Sequence, residues 1–166
     1  MIDEIRTDVT EKILVPMLGP GGKLRDFKHF QVGDENLRGD LQPGGTWEYD
    51  NFTQLLPKGG RLEWKIRFVA TVYSSSMLNV QQGAAEHLRL LCRPEGGELV
   101  GLIPALATMA ITGYTSDSGQ SFKISLQEAT KSWAIKGKSH RHWSYATEVR
   151  VMFETWLNYG QILSPA

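Results

Sequence analysis

The sequence predicts an α+β fold: a single domain in which two or more helices pack on an antiparallel sheet. Apolar and polar residues alternate over long stretches in both halves of the chain, a period of two that is typical of antiparallel strands with one face in water. The two segments with helical spacing of apolar residues lie together between those stretches. Strands before and after a helical block indicate helices layered on a sheet, and 166 residues suffice for one such domain.

The clearest strand follows the paired glycines Gly59 and Gly60. Six apolar residues alternate there with mostly charged ones: Leu62, Trp64, Ile66, Phe68, Ala70 and Val72. The segments "SFKISLQ" from Ser121 and "TEVRVMFETWL" from Thr147 alternate in the same way and predict two further strands. Glycine pairs at 21–22 and 44–45, each preceded by a proline, predict tight turns like the one at 59–60.

The helical block consists of two pieces separated by "RPEGG". In the first, residues 80–92, the spacing predicts an inner face with a buried cysteine beside it: Ala84, Leu88, Leu91 and Cys92. The second, residues 99–111, carries no charge but is shorter than the roughly 18 residues needed to cross a bilayer. We therefore predict a buried helix rather than a membrane span, kinked at Pro104 or beginning near Ile103 because proline disrupts a helix interior.

The N-terminal residues 1–18 are mixed in charge and weakly periodic, which predicts a flexible arm ahead of a single α+β domain over residues 19–166. A short apolar cluster in this arm is ended by Pro16 and Gly19 and is too small to form an element of its own. We expect it to mediate self-association by docking on a neighbouring copy through Ile13, Leu14, Val15 and Met17. The first residues lack the pattern of a secretory signal, which predicts a cytosolic or nuclear protein.

The composition argues against several classes of function. Eighteen basic and eighteen acidic residues cancel, so any binding to nucleic acid or anionic lipid must come from a local patch. His140 and His142 could hold part of a metal site, but no further ligand lies near them in sequence. No nucleophile motif surrounds the serines at 74–76, and no carboxylate pair stands out. The sequence therefore predicts a protein that is not an enzyme and has no cofactor, metal ion or small-molecule substrate.

The segment "KSWAIKGKSHRHW", residues 131–143, is the best candidate for an interaction site. It combines four cations with two flanking tryptophans and contains no acid: Lys131, Trp133, Lys136, Lys138, Arg141 and Trp143. Cations bind phosphate groups, while tryptophan can insert at a lipid interface or stack on a base. The segment predicts contact with an anionic membrane surface or a nucleocapsid. The alternative is a solvated connection between strands with its tryptophans folded into the core.

Residues 60–157 resemble the matrix proteins of rhabdoviruses, in particular the small ones of plant-infecting members. The matching segments are "LEWKIRFVATVYSSS", "GAAEHLRLL", "RPEGGELVGLIPALATMAITGY" and "TEVRVMFETWL", and the likeness rests on element order and spacing. The resemblance implies a virion protein that self-associates, condenses the nucleocapsid and links it to the envelope. The implied partners are further copies, the nucleocapsid, a membrane contacted peripherally and an envelope glycoprotein, in host cytoplasm or nucleus.

This chain departs from the family pattern in two respects. It carries no PPxY or PTAP motif in its first residues, and its N-terminal segment is not rich in lysine. Recruitment of budding machinery and membrane binding by the arm are therefore not expected. The alternative function is a viral nucleic-acid-binding module, such as a movement or silencing-suppressor protein, for which binding would weaken steeply with salt.

Overall fold

Eight strands and three α-helices make up the part of the chain that the computed structural model describes, residues 1–33, 35–76, 80–136 and 143–158. Six strands form one strongly curled sheet in the order β1-β2-β3-β8-β7-β6, and β4 and β5 form a small hairpin. The strands are β1 (His29–Val32), β2 (Gly44–Lys58), β3 (Arg61–Ser76), β4 (Arg93–Glu95), β5 (Glu98–Val100), β6 (Tyr114–Thr115), β7 (Ser121–Lys136) and β8 (Trp143–Asn158). The helices are α1 (Ile2–Asp8), α2 (Val80–Leu91) and α3 (Leu102–Thr112).

The predicted combination of a sheet and helices in one domain is confirmed, and the sheet is mostly antiparallel. It is mixed rather than purely antiparallel, because β1 pairs with β2 in parallel. The three strands predicted from their alternation are β3, β7 and β8, and each extends beyond its predicted bounds.

The alternation divides the sheet into two faces. The covered face carries the helices, and its side chains on β3 and β8 pair across the strands as Ile66 with Phe153 and Phe68 with Val151. The opposite, open face carries mainly polar side chains, including Arg67, Thr71, Glu148 and Arg150. All three α-helices contribute to the core cluster on the covered face, so one hydrophobic layer holds the domain together.

Two of the three predicted glycine turns differ in kind. Gly59 and Gly60 form the tight turn between β2 and β3 with φ of 58° and 78°, a left-handed conformation that favours glycine. Gly45 instead lies inside β2, so the turn predicted at 44–45 is wrong. A Cβ on Gly45 would lie 2.4 Å from the Phe30 ring, which shows that this glycine allows β1 to pack closely.

The predicted apolar helix is present as α3, with its limits shifted. Leu102 and Leu106 are fully buried, whereas Leu99 lies on β5 and Ile111 is 87% exposed. Pro104 is in the first turn of the helix, where its missing N–H would have had no intrahelical partner. None of the described helices is long and apolar enough to cross a membrane.

The predicted flexible arm is wrong. Residues 2–17 are helical throughout: α1 continues as a π-helical stretch, Val9–Leu14, and a 3-10 turn, Val15–Met17. Three of their side chains belong to the core and have almost no solvent exposure: Ile5, Val9 and Leu14. The segment is packed because its apolar side chains find a place on the covered face of the sheet.

Polar contacts fix this segment on two sides. Arg6 Nη2 donates to Glu48 Oε2 of β2 at 2.8 Å. On the other side, Tyr114 Oη donates to Asp8 Oδ2 at 2.9 Å, and Lys12 Nζ lies 2.8 Å from Asp117 Oδ2. Burial and the bond to Asp8 raise the pKa of Tyr114. The first helix is therefore joined both to β2 and to the β6–β7 connection.

The orientation of α2 also corrects the prediction. Its inward-facing residues are Gly83, His87 and Leu90, whereas Leu88 is 65% exposed and Cys92 is exposed. Gly83 allows this orientation, because a Cβ there would lie 2.4 Å from the Tyr145 ring of β8. The helix thus presents a small residue to the sheet and turns a leucine toward solvent.

Candidate functional site

The basic segment lies at the end of the β7–β8 hairpin. Lys131 and Trp133 are two residues apart on β7 and therefore share a face of the sheet. The exposed Lys131 ammonium lies 5.2 Å from the centroid of the Trp133 ring, the geometry of a cation–π contact. Lys131 also stands directly opposite Glu148 across the β7–β8 ladder, so one acid accompanies this cation in space although none lies near it in sequence.

Trp133 is held in place from below. It is half-buried and packs against a small cluster on the open face formed by Leu37, Tyr73 and Ala146. This agrees with the alternative in which a tryptophan is folded into the structure. Trp133 therefore supports the Lys131 side chain, and it has less surface available to enter a lipid interface than the sequence alone indicated.

The other predicted contact residues are placed only in part. Lys136 pairs with Trp143 at the end of the β7–β8 ladder, and Trp143 is half-buried. Lys138 and Arg141 lie outside the described residues, as do His140 and His142. The structure thus brings Lys131 and Trp133 together and places Lys136 and Trp143 at the same end of the sheet.

The predicted self-association residues do not form one exposed surface. Leu14 is 1% exposed and belongs to the core, so it cannot dock on another copy. Ile13 and Met17 are partly buried and pack against that core, while Val15 is exposed. The helical backbone points these four side chains in different directions, whereas the prediction treated them as one cluster.

A buried hydrogen-bonded histidine is the main polar feature on the covered face. Ser74 Oγ lies 2.8 Å from His87 Nδ1, and Thr147 Oγ1 lies 2.8 Å from His87 Nε2. Ser132 Oγ extends the chain at 2.9 Å from Thr147 Oγ1. Burial lowers the pKa of His87 to about 4, so the ring is neutral at pH 7 with one nitrogen donating and the other accepting.

The contact between Ser74 and His87 does not have the geometry of an activated nucleophile. In such a pair a third group, usually a carboxylate, orients the base, whereas the second nitrogen of His87 faces the Thr147 hydroxyl. Ser74 and His87 are also buried, with 5% and 4% exposure. The network therefore serves to link α2 to β3 and β8, in agreement with the prediction that His87 is a packing residue.

The acidic cluster on α1 is occupied by a lysine. Ligand atoms of Glu4, Asp8 and Asp117 lie within 4.8 Å of one another, an arrangement that could hold a cation. The Lys12 ammonium lies 3.3 Å from Asp8 and 2.8 Å from Asp117 and supplies that positive charge. The cluster therefore acts as a contact between α1 and the β6–β7 connection.

Sequence reasoning missed the outer edge of β2. Phe52 and Leu55 are 46% and 47% exposed there, and Phe52 contacts Trp64 of β3 with ring centroids 5.4 Å apart. The signal was present in "NFTQLL", where two large apolar residues and a further leucine follow a run of acids. We had assigned no strand to this segment.

Comparison with known proteins assigns no family to this chain. No protein-family model matches it, and no curated protein matches it significantly. The functional argument therefore rests on the residues themselves.

Proposed function

We propose that this protein is a non-enzymatic structural subunit of the viral matrix type. In this proposal it self-associates, condenses the nucleocapsid and attaches it peripherally to a membrane envelope in the virion, with an envelope glycoprotein as a further partner. The observation that carries the proposal is the exposed Lys131 ammonium over the Trp133 ring, at the end of a hairpin whose connecting residues include Lys138 and Arg141. A cationic hairpin end on a neutral domain suits an anionic surface.

The expected strength of this contact follows from the number of cations. Each lysine or arginine near an anionic bilayer contributes about 1 kcal/mol at moderate salt. The four cations of residues 131–141 would together contribute about 4 kcal/mol, roughly a thousandfold in affinity. Glu148 opposite Lys131 reduces that cation's share.

We expect the variant with four cations changed to glutamine, K131Q/K136Q/K138Q/R141Q, to fold normally and to bind anionic vesicles roughly a thousandfold more weakly at low salt. Exposed charges contribute little to folding, so the unfolding free energy should change by less than about 1 kcal/mol. Cosedimentation with vesicles containing phosphatidylserine, over a series of salt concentrations, measures the binding.

The matched control removes Lys28 and Arg61, two exposed cations on other parts of the chain. Per cation removed, this control should weaken vesicle binding much less than the hairpin variant. Equal binding by parent and hairpin variant would contradict the proposed surface. If the parent binds single-stranded RNA with a steep salt dependence and ignores vesicles, the function is instead that of a nucleic-acid-binding module.

A further inference from the structure

The two longest strands near the margins of the sheet are only partly covered by their neighbours. β1 pairs with β2 over residues 44–47, and β6 pairs with β7 over residues 121–122. Within the described part of the chain, no strand pairs with the outer side of residues 48–58 or 123–136. Such an edge presents a row of backbone N–H and C=O groups that can pair with a further strand.

The free edge of β2 also carries an apolar patch. Phe52 and Leu55 each keep nearly half of their surface in solvent, and Phe52 packs on Trp64 and Tyr49. Large apolar side chains beside an unpaired strand edge are typical of a surface that another strand covers.

The open face of the two edges carries opposite charge. On β2, Glu48 and Asp50 line a groove of about 390 Å³ on this face. On β7, Lys123 stands opposite Glu154 and Lys131 opposite Glu148, and both lysines are exposed. One edge is therefore acidic and the other basic, which makes the two edges complementary to each other.

Strand direction permits the two edges to meet. Three antiparallel pairings separate β2 from β7 in the sheet, so these two strands run in opposite directions. A second copy placed beside the first in the same orientation would bring its β2 antiparallel to β7, with open face next to open face. β-Bulges near residues 49–54 of β2 and 126–131 of β7 confine regular pairing to the stretches beside them.

We infer that this protein self-associates head to tail, through the β2 edge of one copy and the β7 edge of the next. This inference rests on the self-association in the proposed function and names its surface. The contact would cover Phe52 and Leu55 and place Asp50 near Lys123 of the neighbouring copy. Because the two edges differ, each added copy leaves one edge free, and the assembly grows into a ring or a filament.

Sedimentation velocity over a range of protein concentrations tests this inference. We expect Leu55→Lys to weaken association at least tenfold, because it places a charge in the apolar patch. Asp50→Lys and Lys123→Glu should each weaken it as well, because each puts like charges on the two edges. Ile111→Lys is the matched control, since Ile111 is an exposed aliphatic residue on α3 and should associate as the parent does.

Mixing the charge variants gives the sharpest result. In an equimolar mixture, the β2 edge of Asp50→Lys meets the β7 edge of Lys123→Glu with opposite charges, and the two remaining edges are complementary too. We expect the mixture to regain association that neither variant shows alone. If the parent associates and all variants associate equally, the edge contact is wrong while self-association stands; a parent that stays monomeric at every concentration overturns both.

Discussion

Deleting residues 1–17 should unfold the protein. Ile5, Val9 and Leu14 have 0%, 0% and 1% exposure, so the deletion opens the core of the covered face. Cutting one buried isoleucine or leucine back to alanine costs about 2–5 kcal/mol, and the loss of three buried side chains approaches the whole stability of a typical domain, about 5–15 kcal/mol. Circular dichroism of the truncated chain should show no cooperative thermal transition.

Point variants separate packing from simple chain length. Ile5→Ala should lower the unfolding free energy by about 2–5 kcal/mol, because Ile5 is fully buried. Val15→Ala, in the same segment but 41% exposed, should change it by less than about 0.5 kcal/mol. A truncated protein that melts as cooperatively as the parent would show instead that the segment is a dispensable arm.

The error over residues 1–18 has a local physical cause. The buried residues Ile5, Val9 and Leu14 are four and five positions apart, and the wider spacing falls in the π-helical stretch Val9–Leu14. A π-helical turn contains an extra residue, so it shifts the apolar face away from the regular helical period. A search for spacings of three and four residues therefore finds only weak periodicity here.

β2 was missed for a similar reason. Its bulges between Tyr49 and Asn51 and between Phe52 and Gln54 shift the pairing register with β3. Each bulge interrupts the alternation that reveals a strand. In β3, where the pairing with β8 is regular throughout, the alternation is unbroken and the strand was predicted correctly.

The candidate surface was predicted only as far as the local pattern allows. A period of two correctly places Lys131 and Trp133 on one face of a strand. The burial of Trp133 depends on Leu37 and Tyr73, which are distant in sequence. The inward position of His87 likewise depends on hydroxyl partners from β3 and β8, so apolar spacing within α2 selected Leu88 instead.

Lowering the pH from 7 to 4 should cost the protein about 3 kcal/mol of unfolding free energy through His87 alone. Burial lowers the pKa of this ring from 6.5 to about 4, so between these values the unfolded chain binds a proton that the folded protein does not. Stability therefore rises with pH across this window: the contribution is complete above pH 6.5 and is lost as pH falls toward 4. Each pH unit corresponds to about 1.4 kcal/mol.

His87→Asn provides the control, because the amide offers a donor and an acceptor to Ser74 and Thr147 and does not titrate. Urea unfolding of parent and variant at pH 7, 6, 5 and 4.5 measures both curves, and subtraction cancels the carboxylates and the other histidines that the two proteins share. The parent should lose more stability than the variant as the pH is lowered, and almost all of the difference should develop between pH 6.5 and 4. Parallel curves would mean that His87 is protonated in the folded protein at ordinary pH, which is incompatible with a neutral ring bridging the two hydroxyls.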